Sequence, residues 1–109
     1  MTRIINCTPH AITLEKRDGS MVTFEPSGVI PRVDMVEVEA EDIGDCMCFS
    51  KSSGGVFGLP VMIEGTFYIV SGMVFDASDR PDVIAPNTGN TAIRNNKGQI
   101  VAVRSFFRK

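Results

Sequence analysis

The run GTFYIVSGMVFDASDRPDVIAPNTG, Gly65 to Gly89, decides how this chain reads. Thr66 to Val70 is a block of β-branched and aromatic residues, the composition of a central strand. Ser71 follows as an N-cap, its side chain suited to an otherwise unpaired backbone amide. Behind it Met73, Val74 and Ala77 share a face at helical spacing, so a short helix is predicted around residues 71–78. Asp79-Arg80-Pro81 ends it, and a polar loop carries Arg80, Asp82 and a Pro-Asn-Thr-Gly turn. Polar loops leaving a rigid strand-helix unit are where small domains place recognition chemistry.

Outward from this segment the pattern is one of short strands and turns. Ile4 to Cys7 reads as a strand closed by the corner Thr8-Pro9-His10. Ala11 to Lys16 and Met21 to Glu25 flank Arg17-Asp18-Gly19-Ser20, whose Asp-Gly pair is a strong hairpin signal. After the turn Pro26-Ser27-Gly28, Val29 to Glu39 alternates as a long strand, with Pro31 near its start, where a missing amide donor is tolerated. Cys46 to Lys51 reads as another strand and Ser52-Ser53-Gly54-Gly55 as a flexible tip. Thr91 to Arg94, a turn at Asn95-Asn96-Lys97-Gly98, and Gln99 to Phe106 read as a closing hairpin. The expectation is a mainly β, small α+β fold: one compact antiparallel β-sheet domain, residues 1–109, with a single short helix.

At 109 residues the chain matches the size of one domain. A net charge of -2 argues against a binder of nucleic-acid polymers, which presents a basic face. No apolar run approaches the length of a membrane span, and MTRIINCTPH breaks too early for a secretory signal. Three cysteines, Cys7, Cys46 and Cys48, then read as reduced thiols in a cytoplasm.

Catalytic chemistry has little to stand on. Cys46-x-Cys48 lacks zinc-knuckle spacing and reads as a pair of buried packing residues. The single histidine, His10, lies in a corner where an imidazole caps turn carbonyls. Glu37, Glu39 and Glu41 alternate with Val38 and Ala40, as on a solvated strand face. No metal site, cofactor or catalytic residue is expected.

The arginines are more suggestive. Arg32 opens the long strand, Arg80 and Arg94 bracket the polar loop, and Arg104 lies in the last strand. Guanidinium forks match phosphate oxygens two to two. Asn87, Thr88, Asn90 and Thr91 offer neutral partners for ribose or base edges, and Phe67, Tyr68 or Phe75 a stacking face. Surface exposure, or a mutual Arg80–Asp82 ion pair, is the alternative for these residues.

The order Asn6-x-Thr8-Pro9-His10, Pro26-Ser27-Gly28-x3-Arg32, Gly58-Leu59-Pro60, Tyr68-Ile69-Val70-Ser71, Arg80-x-Asp82, Arg94 and Gly98-x-Ile100-Val101 resembles small phage-encoded proteins. They are the first-described type of Thoeris anti-defence protein, and the resemblance runs from about Ile4 to Val103. It implies a β-rich homodimer or homohexamer that binds cyclic ADP-ribose isomers made by bacterial TIR enzymes. Such a sponge does not cleave its ligand, and some members also hold cyclic di- or trinucleotides. By the same resemblance Arg32, Arg80 and Arg94 are the phosphate contacts, joined by Arg104, with Phe75 as a stacking wall. The polar loop with Asp82, Asn87 and Thr88 forms the pocket rim, and the site of action is the cytoplasm of the infected host. Two other roles compete: a small phage protein that blocks a host defence protein by direct binding, and a nucleotide hydrolase.

Overall fold

The structure is a computed structural model that describes residues 2–109. It is mostly strand, with one short helix, as the sequence predicts. The first strand, β1, spans Arg3–Asn6, and a hairpin follows from β2, Ile12–Glu15, and β3, Met21–Phe24. Two long strands, β4 at Arg32–Ile43 and β5 at Cys46–Phe57, come next. Then β6, Thr66–Ile69, leads through α1, Gly72–Ala77, into β7, Val83–Pro86. A two-residue β8, Ile93–Arg94, pairs with β9, Ile100–Ala102, and β10, Phe106–Arg108, closes the chain.

Four of these strands build the central sheet, in the order β1-β6-β7-β10. The hairpins β2–β3, β4–β5 and β8–β9 are antiparallel, and so is β7–β10. The pairs β1–β6 and β6–β7 are parallel. Parallel neighbours cannot be joined by a tight turn and need a crossover of a dozen or more residues. Here the crossover is Val70 to Asp82, with α1 in its middle, and it packs back on the sheet through Val74. Ser71 caps the helix as expected, its Oγ accepting from the Val74 amide at 3.3 Å. Met73 does not share the buried face: it is 61% exposed, because six helical residues make too few turns to bury a full stripe.

Tyr68, Ile69 and Val70 are buried on both sides of the sheet, as a central parallel strand requires. One face carries Cys7, Tyr68, Val70 and Val83 against Val74, with Val33, Val56, Leu59 and Phe75 around them. On the other lie β2, β3 and β9, joined where Leu14 bridges Val103 and the Glu15 amide donates to the Val103 carbonyl. Asn6 ties this side down. Its Nδ2 donates to the carbonyls of His10 and Phe24, and its Oδ1 accepts from the amide and hydroxyl of Thr8. The corner is therefore held through the His10 carbonyl, and no hydrogen bond is made by the imidazole among the described residues.

The expected tip at Ser52-Ser53-Gly54-Gly55 lies inside β5. Asp34 pairs with Gly55 and Met35 with Ser53, which leaves Gly54 as the extra residue of a β-bulge. Gly55 takes φ +126°, a backbone angle open to glycine alone in practice. The hairpin turns instead at Gly44-Asp45, with Gly44 at φ +61°. The result is an arm about 40 Å long at the usual rise per residue. It gives the molecule extents of 55 × 39 × 23 Å and a radius of gyration of 16.9 Å. A compact chain of this length has about 13 Å. Cys46 is exposed and Cys48 half-buried, so the pair is not core packing: both lie on the arm, beyond the reach of the sheet.

Candidate functional site

The sequence-predicted residues fall into separate places. Arg80 and Asp82 stand on the return leg of the crossover, at the amino ends of the parallel strands. Arg80 Nε donates to Asp82 Oδ1 at 2.9 Å and its Nη2 to Oδ2 at 2.6 Å. This two-pronged bond holds the Arg80 guanidinium more firmly protonated than usual. It also uses both carboxylate oxygens of a side chain only 8% exposed. The alternative of mutual pairing is the arrangement found.

At the carboxyl ends of the parallel strands sit Asn87, Thr88, Arg94 and Arg104. Arg94 donates to the Gly98 carbonyl at 2.8 Å and to that of Thr88 at 3.4 Å, pinning the β8–β9 turn to the polar loop. Asn87 is held by Ser105 at 3.2 Å, and Arg104 approaches Glu15 at 3.7 Å. Arg32 is exposed at the base of the arm, and Phe75 lies in α1 with the Lys109 ammonium 4.3 Å over its ring. Within one chain, then, Arg32, Phe75, the Arg80–Asp82 pair and the Asn87–Arg94–Arg104 group do not share one pocket.

A hollow lies at the amino ends of β6 and β7. It is a groove of about 380 Å³ running along the segment 62–67, closed by Pro81, Asp82 and Arg108. Its rim is set by two anchors. Tyr68, buried beneath, donates its hydroxyl to the Val61 carbonyl at 3.0 Å, and the Thr66 amide donates to the Ile63 carbonyl at 3.0 Å. Met62 and Ile63 are thereby presented to solvent, each 55% exposed. The Arg108 guanidinium carbon stands 5.3 Å from the centroid of Phe67, in cation–π geometry.

Apolar walls, one aromatic ring with a cation stacked on it and the Glu64 side chain line this groove, an arrangement suited to a flat ligand with a polar end. Its volume falls within the range of small-molecule sites, roughly 300–1,000 Å³. Phe67 was among the stacking candidates, but nothing in the sequence singled out Arg108. Its one signal is the alternation in Phe106-Phe107-Arg108, which puts Arg108 on the same face as Phe106 once that segment is taken as a sheet strand. The expected closing hairpin ends instead at Ala102, and the chain passes Arg104-Ser105 before joining β7.

Among the described residues no three His, Cys, Asp or Glu side chains are placed to hold a metal ion, and no helix is long and apolar enough to cross a membrane. Fold and groove together define a small mixed-sheet domain with a ligand-sized surface site and a projecting β-arm. Comparison with protein-family models, curated proteins and solved structures finds no match.

Proposed function

We propose that this protein binds a cyclic nucleotide signal and holds it without transforming it, as an anti-defence sponge does. The observation that carries the reading is Arg108 lying over Phe67 at the mouth of the 380 Å³ groove. A nucleobase packs on Met62, Ile63 and Phe67 by area and stacking, while the outward edge of the guanidinium meets a phosphate. The order of motifs from Asn6 to Val101 supports the same class of ligand. Retention rather than turnover fits Asp82: with both oxygens taken by Arg80, it is poorly placed to accept a proton as a general base. One copy supplies a single unpaired guanidinium to the groove, so a pyrophosphate ligand draws its second cation from a neighbouring subunit.

Titration calorimetry with cyclic ADP-ribose isomers and cyclic dinucleotides tests this directly. The expected result is tight binding of one of them, weakened roughly tenfold or more, about 1.4 kcal/mol, by Arg108→Gln at unchanged thermal stability. Heating the complex then releases the intact nucleotide. Absence of binding by every cyclic nucleotide, an unaffected Arg108→Gln variant, or recovery of a converted product refutes the reading.

A further inference from the structure

Two thiols stand side by side on the arm formed by β4 and β5, next to its turn at Gly44-Asp45. Cys46 and Cys48 are two residues apart on β5, so both leave the same face of the ribbon, with Met47 on the other. In the ladder they lie opposite Ile43 and Ala40. The paired residues of that face, from Val36 and Ser52 out to Ile43 and Cys46, include no charged side chain. Both thiols are free, Cys46 exposed and Cys48 half-buried. The Cys48 thiol donates to the Cys46 carbonyl across 3.6 Å, which leans its sulfur back toward its neighbour.

Strand geometry limits what this pair does. Side chains on one face repeat every two residues, about 6.8 Å, whereas a disulfide needs its Cβ atoms about 3.8 Å apart. The paired strand therefore holds the two thiols too far apart to join each other. A metal ion spans a wider gap. Two metal–thiolate bonds of about 2.3 Å set in line hold their sulfurs about 4.6 Å apart. Each sulfur then leans only about 1.1 Å along the strand, within the reach of a rotamer change at an exposed side chain.

Ligand number selects the ion. Structural zinc takes four ligands and iron–sulfur clusters four thiolates, while calcium and magnesium take oxygen. Among the described residues no third His, Cys, Asp or Glu joins the pair. The Met47 thioether leaves the strand on the opposite face. The count that excludes zinc admits a soft monovalent ion that accepts two thiolates in line, and monovalent copper is the one that thiolates favour.

We infer that Cys46 and Cys48 form a two-coordinate site for monovalent copper, on the arm and apart from the groove at Phe67. Binding forms two copper–sulfur bonds and releases the two thiol protons to solvent. Copper enters as the monovalent ion, so nothing is oxidised or reduced.

Competition with bicinchoninate for monovalent copper, on the fully reduced full-length protein without oxygen, tests the inference. Expected are one ion per chain and, by X-ray absorption, two sulfur neighbours around it. Cys46→Ser and Cys48→Ser each weaken binding at least tenfold. Met47→Cys combined with Cys48→Met keeps two thiols but sets them on opposite faces, and it loses affinity by the same factor. Circular dichroism confirms that each variant keeps its strands. Failure of the wild type to compete for the ion overturns the inference. So does a single-cysteine or face-swapped variant that binds as tightly as the wild type, or a copper ion surrounded by three or four sulfurs, the mark of a site shared between chains.

Discussion

Asn6→Ala puts the largest weight on a single side chain. Asn6 is 2% exposed, and its amide uses every hydrogen-bonding position it has: two donors to the carbonyls of His10 (2.7 Å) and Phe24 (2.8 Å), two acceptances from Thr8, at 2.9 Å from the amide and 2.7 Å from the hydroxyl. The four bonds are not equal in consequence. When the amide is removed, the Thr8 hydroxyl still reaches the His10 carbonyl at 3.0 Å, so those two groups keep each other. The Thr8 amide loses its partner in an enclosed corner, while the Phe24 carbonyl keeps its place in the β2–β3 ladder opposite Ile12. One orphaned group costs about 1–3 kcal/mol, so the variant is destabilised by about 2 kcal/mol. That is a substantial part of the roughly 5–15 kcal/mol that holds a domain of this size. Urea unfolding followed by far-ultraviolet circular dichroism measures it, with an unchanged m-value confirming that only stability has moved. Thr8→Val serves as the comparison, since it removes the hydroxyl and leaves both backbone bonds. A loss below about 1 kcal/mol for Asn6→Ala would falsify the view that this amide holds the corner.

The Arg80–Asp82 pair is expected to show a coupling of about 1–2 kcal/mol in a double-mutant cycle with Arg80→Ala and Asp82→Ala. Arg80→Ala alone is the worse single change, because it strands a buried carboxylate; additive effects would show that the pair is incidental. For the thiols, a chromogenic disulfide reagent is expected to modify Cys46 and Cys48 quickly and Cys7 only on unfolding. Burial pushes the Cys7 thiol up, against a smaller opposing effect of the Ser27 hydroxyl. A folded value above the unfolded one means stability that is intact at neutral pH and falls once the pH passes the unfolded thiol's range. Cys7→Ala therefore flattens the alkaline side of a stability–pH curve, and an unchanged alkaline slope contradicts the assignment.

Local signals carried far into this fold. The Asp-Gly pair at Asp18-Gly19 gives the first hairpin, with Leu14 opposite Val22, and the Asp18 carboxylate caps its turn by accepting from the Ser20 hydroxyl and amide. Those bonds hold Asp18 below the usual carboxylate range. Ser71 gives the helix start and the Thr66–Ile69 block the central strand, since capping and β-branching act within a few residues of the chain. Ser52 to Gly55 misled because glycine permits both a loop tip and a bulge, and only the partner strand distinguishes them. The arginines were harder to place for a related reason. A guanidinium written in a sequence shows its charge but not its neighbour, and Asp82 and the Gly98 and Thr88 carbonyls had already engaged two of them.

What the sequence determined by itself was the kind of domain: short strands, one capped helix and a central buried strand, whereas the polar loop expected after the helix holds instead the buried strand β7. The features it determined each rest on contacts within one turn or one hairpin. Tertiary structure alone decided that β6 runs parallel to both β1 and β7, and that Arg108 meets Phe67. It also decided that the two longest strands leave the body as an arm. The physical reason is common to all three. Pairing between strands far apart in sequence is settled by the total area and hydrogen bonding the whole chain can satisfy, and no residue carries that sum in its local pattern.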